Sequence, residues 1–274
     1  MDSLIKSFPA SGCRIDPEHL CMLLGTHDGR FTIIALESCL STNSLLLDKA
    51  RDSSASSGTL LIADRQTAGR GRMGRQWASS AEGSLTFSLL WRFNVPPSRL
   101  SGLSLSVGLA VARGLEACGV SGIGLKWPND ILLDGGKVGG ILIELENIAG
   151  TMLAVIGVGI NLQLPAGKAE EFIYPPAALA QALIPPPDRH VVLAQVMLAL
   201  ADVLDRFAES GFAILRDEWQ SRHAWQDRPV RLLNAGVAER QGICLGADVD
   251  GALLLRTAQG IERCLSGDVS LRGA

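Results

Sequence analysis

The 274 residues are 47% hydrophobic and 19% charged, which excludes wholesale disorder and suits one large domain, or a large one with a small one. The formal net charge of -3, from 25 basic and 28 acidic residues, leans away from a nucleic-acid coat or a polybasic membrane binder. The most apolar stretch, Gly139 to Leu164, is broken by Glu144 and Glu146, and Met1 to Lys6 lacks the basic and apolar regions of a signal peptide; the expectation is a soluble, cytoplasmic protein with no membrane contact.

Residues 1–28 carry few signals beyond a short helix from Asp16 to Leu24, opened by Asp16-Pro17. From Phe31 the pattern alternates. Phe31–Leu36 reads as a strand, and Ser41-Thr42-Asn43 supplies a cap for a helix over Ser44–Arg51. Thr59–Ala63 is a short buried strand. Ser84–Trp91 alternates, with Leu85, Phe87, Leu89 and Trp91 on one face and Thr86 and Ser88 on the other. Leu100, Leu103, Val107, Val111, Leu115 and Cys118 have helical spacing, which predicts a helix over Ser98–Cys118. Strands are expected at Ile123–Lys126, Ile131–Leu133, Val138–Glu146 and Thr151–Ile160, with a hairpin signal at Asp134-Gly135-Gly136. Adjacent strands without intervening helices point to a mixed or antiparallel sheet flanked by helices, hence α+β.

After the stop at Pro185-Pro186-Pro187, Asp188 caps a helix running to Ser210, and a further helix is expected over Gly211–His223. Beyond Pro229 the texture changes to short strands at Val230–Leu233, Gly242–Leu245, Ala252–Arg256 and Glu262–Leu265, which suggests a small appended β-barrel of SH3-like size. The expected division is an N-terminal segment at 1–28, a main domain at 29–224 and a small domain at 225–274.

The six cysteines form no CxxC pair and the four histidines are scattered; neither a disulfide framework nor a structural zinc site is expected. Twenty of the 25 basic residues are Arg and five are Lys. Two of those lysines, Lys126 and Lys137, fall inside the chemistry-bearing segments, where a compact point charge differs from an arginine fork.

Four such segments stand out. Residues 64–77 hold Arg65, Arg70, Arg72 and Arg75 against Asp64 alone, with Gly69, Gly71 and Gly74 between them. Such a loop can wrap an anion through amides and guanidinium groups, or it can be a solvated arginine-rich turn. It matches GxGxxG formally, but no acidic residue stands about 20 residues on, where a dinucleotide site needs one. Lys126-Trp127-Pro128-Asn129-Asp130 offers a cation, an amide and a carboxylate suited to a nucleotide phosphate or its Mg²⁺, although Pro-Asn-Asp is also ordinary turn chemistry. Gly135–Glu144 sets glycines on both sides of Lys137; it is no P-loop, because Val138 follows the lysine. Gly157-Val158-Gly159-Ile160-Asn161 puts two glycines inside a strand, a sign of a neighbouring ligand or backbone.

In this order the segments resemble the biotin protein ligases, the biotin–[acetyl-CoA-carboxylase] ligases. That family carries a Ser-Thr-Asn motif, a GRGRxGRxW loop, a KWPND motif, a GK…GIL…E segment and a GxGxN strand. Here they stand at Ser41–Asn43, Gly69–Trp77, Lys126–Asp130, Gly136–Glu144 and Gly157–Asn161. The likeness covers residues 31–162 and continues weakly to Val269–Arg272.

The resemblance implies a class II synthetase-like catalytic domain with a C-terminal SH3-like domain. It implies ATP and biotin as substrates, Mg²⁺, a biotinyl-5′-adenylate, and transfer to a lysine of a biotin carboxyl carrier protein. It implies Arg70, Arg72, Lys126 and Lys137 as catalytic groups, and Ser41, Thr42, Asn43, Gln66, Gly69, Arg70, Gly71, Arg72, Lys137, Gly139 and Gly140 around biotin. Arg72, Arg75, Trp77, Lys126, Asn129 and Asn161 would face ATP. Asp130 would hold the metal or orient Lys126. The arginine loop would be mobile without ligand and close over the adenylate. The residues ahead of Ser41 leave no room for the winged helix-turn-helix of some members, so no DNA-binding role is expected. A monomer or a homodimer would both suit. The alternatives are a lipoate or octanoate ligase, which shares the fold and chemistry, and a non-catalytic biotin- or nucleotide-binding regulator.

Overall fold

Alternation along two long central strands explains the layering. In the computed structural model, which describes residues 14–148, 150–165, 174–234, 237–265 and 269–273, β3 (Ser84–Phe93) pairs with β7 (Thr151–Asn161) in an antiparallel register of Phe87 to Val158 and Ser88 to Gly157. On one face Leu85, Phe87, Leu89, Trp91, Ile156, Val158 and Ile160 join the main core; on the other Leu90 and Val155 pack with a smaller cluster.

Around this pair lies a seven-stranded mixed sheet of order β1-β2-β3-β7-β6-β5-β4. β1 (Thr32–Cys39) and β2 (Thr59–Gln66) are parallel, joined by α2 (Thr42–Arg51); every other pairing is antiparallel. The remaining strands are β4 (Ile123–Lys126), β5 (Asp130–Leu133) and β6 (Gly136–Ile148). β1 and β2 run past the predicted ends, because their polar residues Ser38, Cys39, Arg65 and Gln66 continue the ladder toward the site.

α3 (Leu103–Ala117) and α4 (Arg189–Ser210) cover the main-core face. They approach closely at Gly114, where a Cβ would stand 2.6 Å from the Val196 Cα. Asp188 caps α4 by accepting from the His190 N–H at 2.8 Å, as its sequence predicts. α1 (Pro17–Leu24), capped by Asp16, also packs on α4. α2 covers the opposite face with Leu46 and Ala50 over Leu61, Leu90, Leu153 and Val155.

Two predicted helices are shorter than their apolar spacing suggests. The helix expected over Ser98–Cys118 divides into a 3-10 turn at Pro97–Leu100 and α3, with Gly102 at φ +80° between them. Gly102 abuts Phe212 and Gly251, which leaves no room for a side chain there. The helix expected over Gly211–His223 is a 3-10 turn at Phe212–Ile214 followed by α5 (Arg216–Ser221).

The C-terminal unit is a five-stranded antiparallel sheet of order β11-β10-β9-β8-β12. Its strands are β8 (Pro229–Asn234), β9 (Val237–Ala247), β10 (Leu253–Thr257), β11 (Gly260–Cys264) and β12 (Val269–Gly273), one more than the sequence predicts. Val230, Leu232, Cys244, Leu253 and Leu255 continue the main core. Among the described residues no helix is long and apolar enough to cross a membrane.

Candidate functional site

On the face that α2 covers, the sheet changes from apolar to polar and glycine-rich. Thr86 and Ser88 of β3 and Gly157 and Gly159 of β7 stand where bulky residues would fill the space. A Cβ on Gly157 would collide with the Asn43 amide, and one on Gly159 with the Trp77 indole. These two glycines form the floor of an inner cavity of about 120 Å³.

The N-terminus of α2 supplies one wall. Ser41 caps the helix, and Ser41, Thr42 and Asn43 are all buried. Gln66 Oε1 accepts from the Thr42 N–H at 2.8 Å and lies 3.2 Å from its Oγ1. Ser88 Oγ bonds Thr42 Oγ1 at 2.7 Å and Asn43 Oδ1 at 2.6 Å. The Asn43 amide donates to Leu142 O at 3.2 Å and Glu144 Oε2 at 2.9 Å. This is a fully connected polar network, the arrangement that holds buried polar groups in one orientation. Ser88 was not singled out from the sequence; its place on the polar face of an otherwise apolar strand is the signal that could have found it.

The arginine loop closes the opposite side. Gly71 N–H donates to Arg75 O at 2.7 Å and Trp77 N–H to Gly69 O at 2.9 Å, a small hairpin held by its own backbone. Arg70 pairs with Glu144 at 2.6 Å, and Arg72 donates to Asn129 Oδ1 at 3.3 Å. Arg75 turns back to Arg72 O at 3.2 Å. Trp77 lies against Gly159 and Gly140 in the inner cavity, and its buried indole N–H has no hydrogen-bond partner among the described residues. An orphaned buried donor lining a cavity is a feature that a ligand acceptor would satisfy.

The third wall carries charge. The KWPND turn and β6 bring Lys126 and Lys137 to one carboxylate. Asp130 Oδ2 lies 2.7 Å from Lys126 Nζ, and Oδ1 lies 2.5 Å from Lys137 Nζ. Burial alone would raise the Asp130 carboxyl, but the charges of Lys137 and then Lys126 outweigh it and hold the group at about 2. Both its oxygens are thus engaged by ammonium groups. Among the described residues no group of three or more His, Cys, Asp or Glu could hold a metal ion. The geometry fits Asp130 as the group that orients the two lysines.

Three expected site residues lie behind the cavity walls. Lys126 is buried beneath Asp130, with its Nζ over the Tyr174 ring, 4.3 Å from the centroid. Gly139 pairs with Ile160 inside the sheet. Asn161 donates to Lys137 O at 3.3 Å and Ala177 O at 3.0 Å, which ties the end of β7 to the start of β6. Ser41, Thr42, Asn43, Gln66, Arg70, Gly71, Arg72, Arg75, Trp77, Asn129, Asp130, Lys137 and Gly140 all line the inner cavity; Gly69 lines the larger one beside it.

That larger cavity, of about 840 Å³, runs from the loop to α3 and the C-terminal unit. Three bonds hold the KWPND turn at its edge. The Trp127 indole donates to Gly251 O at 3.1 Å, Ser104 Oγ to Pro128 O at 2.9 Å, and the Asn129 amide to Ile141 O at 2.8 Å. Arg70, Arg72, Arg75 and Lys137 against Asp130 give the inner cavity a net positive lining in a chain whose total charge is negative. Such a lining suits anionic ligands.

Comparison with known proteins agrees with this geometry. The sequence model of the Biotin/lipoate A/B protein ligase family matches residues 36–161, and that of the Biotin protein ligase C terminal domain matches residues 227–272. The chain is 36% identical over 255 residues to the bifunctional ligase/repressor BirA of Escherichia coli, covering 92% of this chain and 77% of that one. It is 35% identical over 242 residues to the biotin–[acetyl-CoA-carboxylase] ligase of Paracoccus denitrificans, covering 85% of this chain and 98% of that one. The biotin protein ligase of Aquifex aeolicus in complex with biotin and ATP superposes with a TM-score of 0.74 at 34% identity, covering 88% of this chain and 99% of that one.

Proposed function

The chain belongs to the biotin protein ligases of the biotin/lipoate A/B protein ligase family, and from that premise we propose that it joins biotin to ATP and passes the biotinyl group to a lysine of a biotin carboxyl carrier protein. The observation that carries this reading is the inner cavity itself. It brings a buried polar network, an unpartnered indole N–H and a cluster of cations into one cavity. A neutral ureido ring attached to a carboxylate needs both kinds of group.

In the first step a biotin carboxylate oxygen attacks the α-phosphorus of ATP. The bond to the bridging oxygen breaks, and pyrophosphate leaves with the electron pair. Two anions must be brought together while charge builds on the leaving group, so the chain's contribution is positioning and electrostatics. Arg72 and Lys137 face the carboxylate and α-phosphate, and Arg75 and Asn129 the nucleotide. Lys126 acts from beneath, sharing Asp130 with Lys137. Asp130 keeps the two ammonium groups at fixed positions. Mg²⁺ enters with the nucleotide as part of the substrate.

The product is a mixed anhydride that water would destroy, so a loop that excludes solvent serves the reaction. In the second step the neutral amine of the carrier lysine attacks the biotinyl carbonyl. An amide forms, AMP leaves, and the amine loses a proton. This step requires no nucleophile from the enzyme, and none of its cysteines is needed. Cys39 and Cys244, with burial pushing each thiol up to about 11, suit apolar packing rather than attack.

The test is to incubate the protein with MgATP, biotin and an isolated biotin carboxyl carrier domain, and to map the modified residue by mass spectrometry. A biotinyl amide on one carrier lysine supports the reading. An unmodified carrier, or one that accepts only lipoate or octanoate, refutes it.

A further inference from the structure

We propose that Glu144 is a positioning residue for this reaction: it latches the arginine loop over the inner cavity through Arg70 and, with the same oxygen, orients the amide of Asn43. The inference rests on the reading of that cavity as the biotin and phosphate site.

Glu144 lies on β6 beyond Gly140, where pairing with β5 has ended. Its partner on β7 is Val155, which packs under α2, so the side chain belongs to the face that carries the site. Glu144 Oε2 accepts from Arg70 Nη2 at 2.6 Å and from Asn43 Nδ2 at 2.9 Å. One carboxylate thereby joins a loop residue 74 positions away to a helix N-terminal residue 101 positions away. From Asn43 the hydrogen bonds continue through Ser88 and Thr42 to Gln66. The orientation of the buried polar network and the position of the loop therefore depend on the same anion.

The geometry also separates Glu144 from the reacting groups. Its carboxylate lines the outer cavity and not the inner one. Paired with Arg70, it adds no net charge beside an anionic substrate. Arg70, expected from the sequence to contact the biotin carboxylate or the phosphates, is here the other half of the latch. The Arg70 contact is charge-assisted and shorter than the 3.3 Å contact of Arg72 to the neutral Asn129 amide. The pair is partly exposed, at 44% for Arg70 and 25% for Glu144. It is therefore screened by salt, as befits a contact that opens and closes.

Glu144→Gln keeps the size and an acceptor for Asn43 but removes the charge; Glu144→Ala removes both. Three measurements apply to each variant: trypsin cleavage after Arg70, Arg72 and Arg75 in the ligand-free protein, the lifetime of the enzyme-bound biotinyl-adenylate at low and high salt, and thermal melting. The latch predicts that Glu144→Gln melts like the wild type, yet is cleaved in the loop about tenfold faster and loses its adenylate about tenfold faster. It also predicts that salt shortens the wild-type lifetime more steeply than that of the variant, so that the two converge. Wild-type rates of cleavage and of adenylate loss in Glu144→Gln would overturn the proposal. Should the wild type form no adenylate from biotin, the functional reading fails, and the ligand-free cleavage comparison alone decides for or against the latch.

Discussion

The indole of Trp77 covers Gly159 so closely that a methyl group on the glycine would stand 2.3 Å from two of its ring carbons. The loop and the sheet floor therefore meet through an absent side chain. Gly159→Ala must displace Trp77 or shift β7, an overpacking cost of about 1–3 kcal/mol. Biotin affinity, measured by calorimetry, should fall by about tenfold or more, while the far-ultraviolet circular dichroism stays that of the wild type.

Asp130 holds two lysines in place, so its neutral amide variant should leave two cations facing each other. Asp130→Asn should lower adenylate formation by about a hundredfold or more and destabilise the fold by about 3 kcal/mol, the scale for breaking a buried pair. The depressed carboxyl gives the sign of the pH effect. The folded group titrates at about 2 and the ordinary value is 3.8, so its stabilisation is fully present above about pH 4 and lost as pH falls toward 2. Urea unfolding of wild type and variant should converge over that window.

His223 stands at the seam between β4 and the C-terminal sheet. Its Nδ1 lies 3.1 Å from Leu125 O and its Nε2 3.3 Å from Cys244 Sγ. Burial pushes the imidazole down to about 4 from 6.5, against a smaller opposing effect of the Leu125 carbonyl. The ring is neutral when folded, whereas the unfolded chain takes up a proton below pH 6.5. Stability should therefore fall as pH drops from about 6.5 toward 4. His223→Gln should flatten that segment of the stability profile, measured by urea titration at each pH.

Gly251, on the C-terminal turn, faces Gly102, and a Cβ on Gly251 would stand 2.6 Å from the Gly102 Cα. Its carbonyl also receives the Trp127 indole N–H. Gly251→Ala, strained further by φ +81°, should push the turn away from the KWPND motif. The KM for ATP should rise several-fold with a smaller change in biotin affinity, checked by steady-state kinetics with each substrate varied in turn.

The motifs were legible because their chemistry is local. The GRGRMGRQW and KWPND strings fall on a loop and a turn, and the alternation of Ser84–Trp91 correctly separates the Thr86 and Ser88 face from the apolar one. What was not legible depends on long-range contacts. Nothing near Glu144 announces Arg70, 74 residues away. Nothing near Trp77 says that it turns inward onto Gly159. The break at Gly102 is hidden in a helical apolar spacing, because its cause is Phe212 and Gly251 arriving from distant segments. β12 was missed because Val269–Gly273 is short and gains its place only by pairing with β8.

The most direct test of the central claim is ATP–pyrophosphate exchange with Mg²⁺, with biotin, lipoate or octanoate supplied separately. The account predicts exchange with biotin alone. Exchange with lipoate or octanoate in its place, or with none of the three, would contradict it.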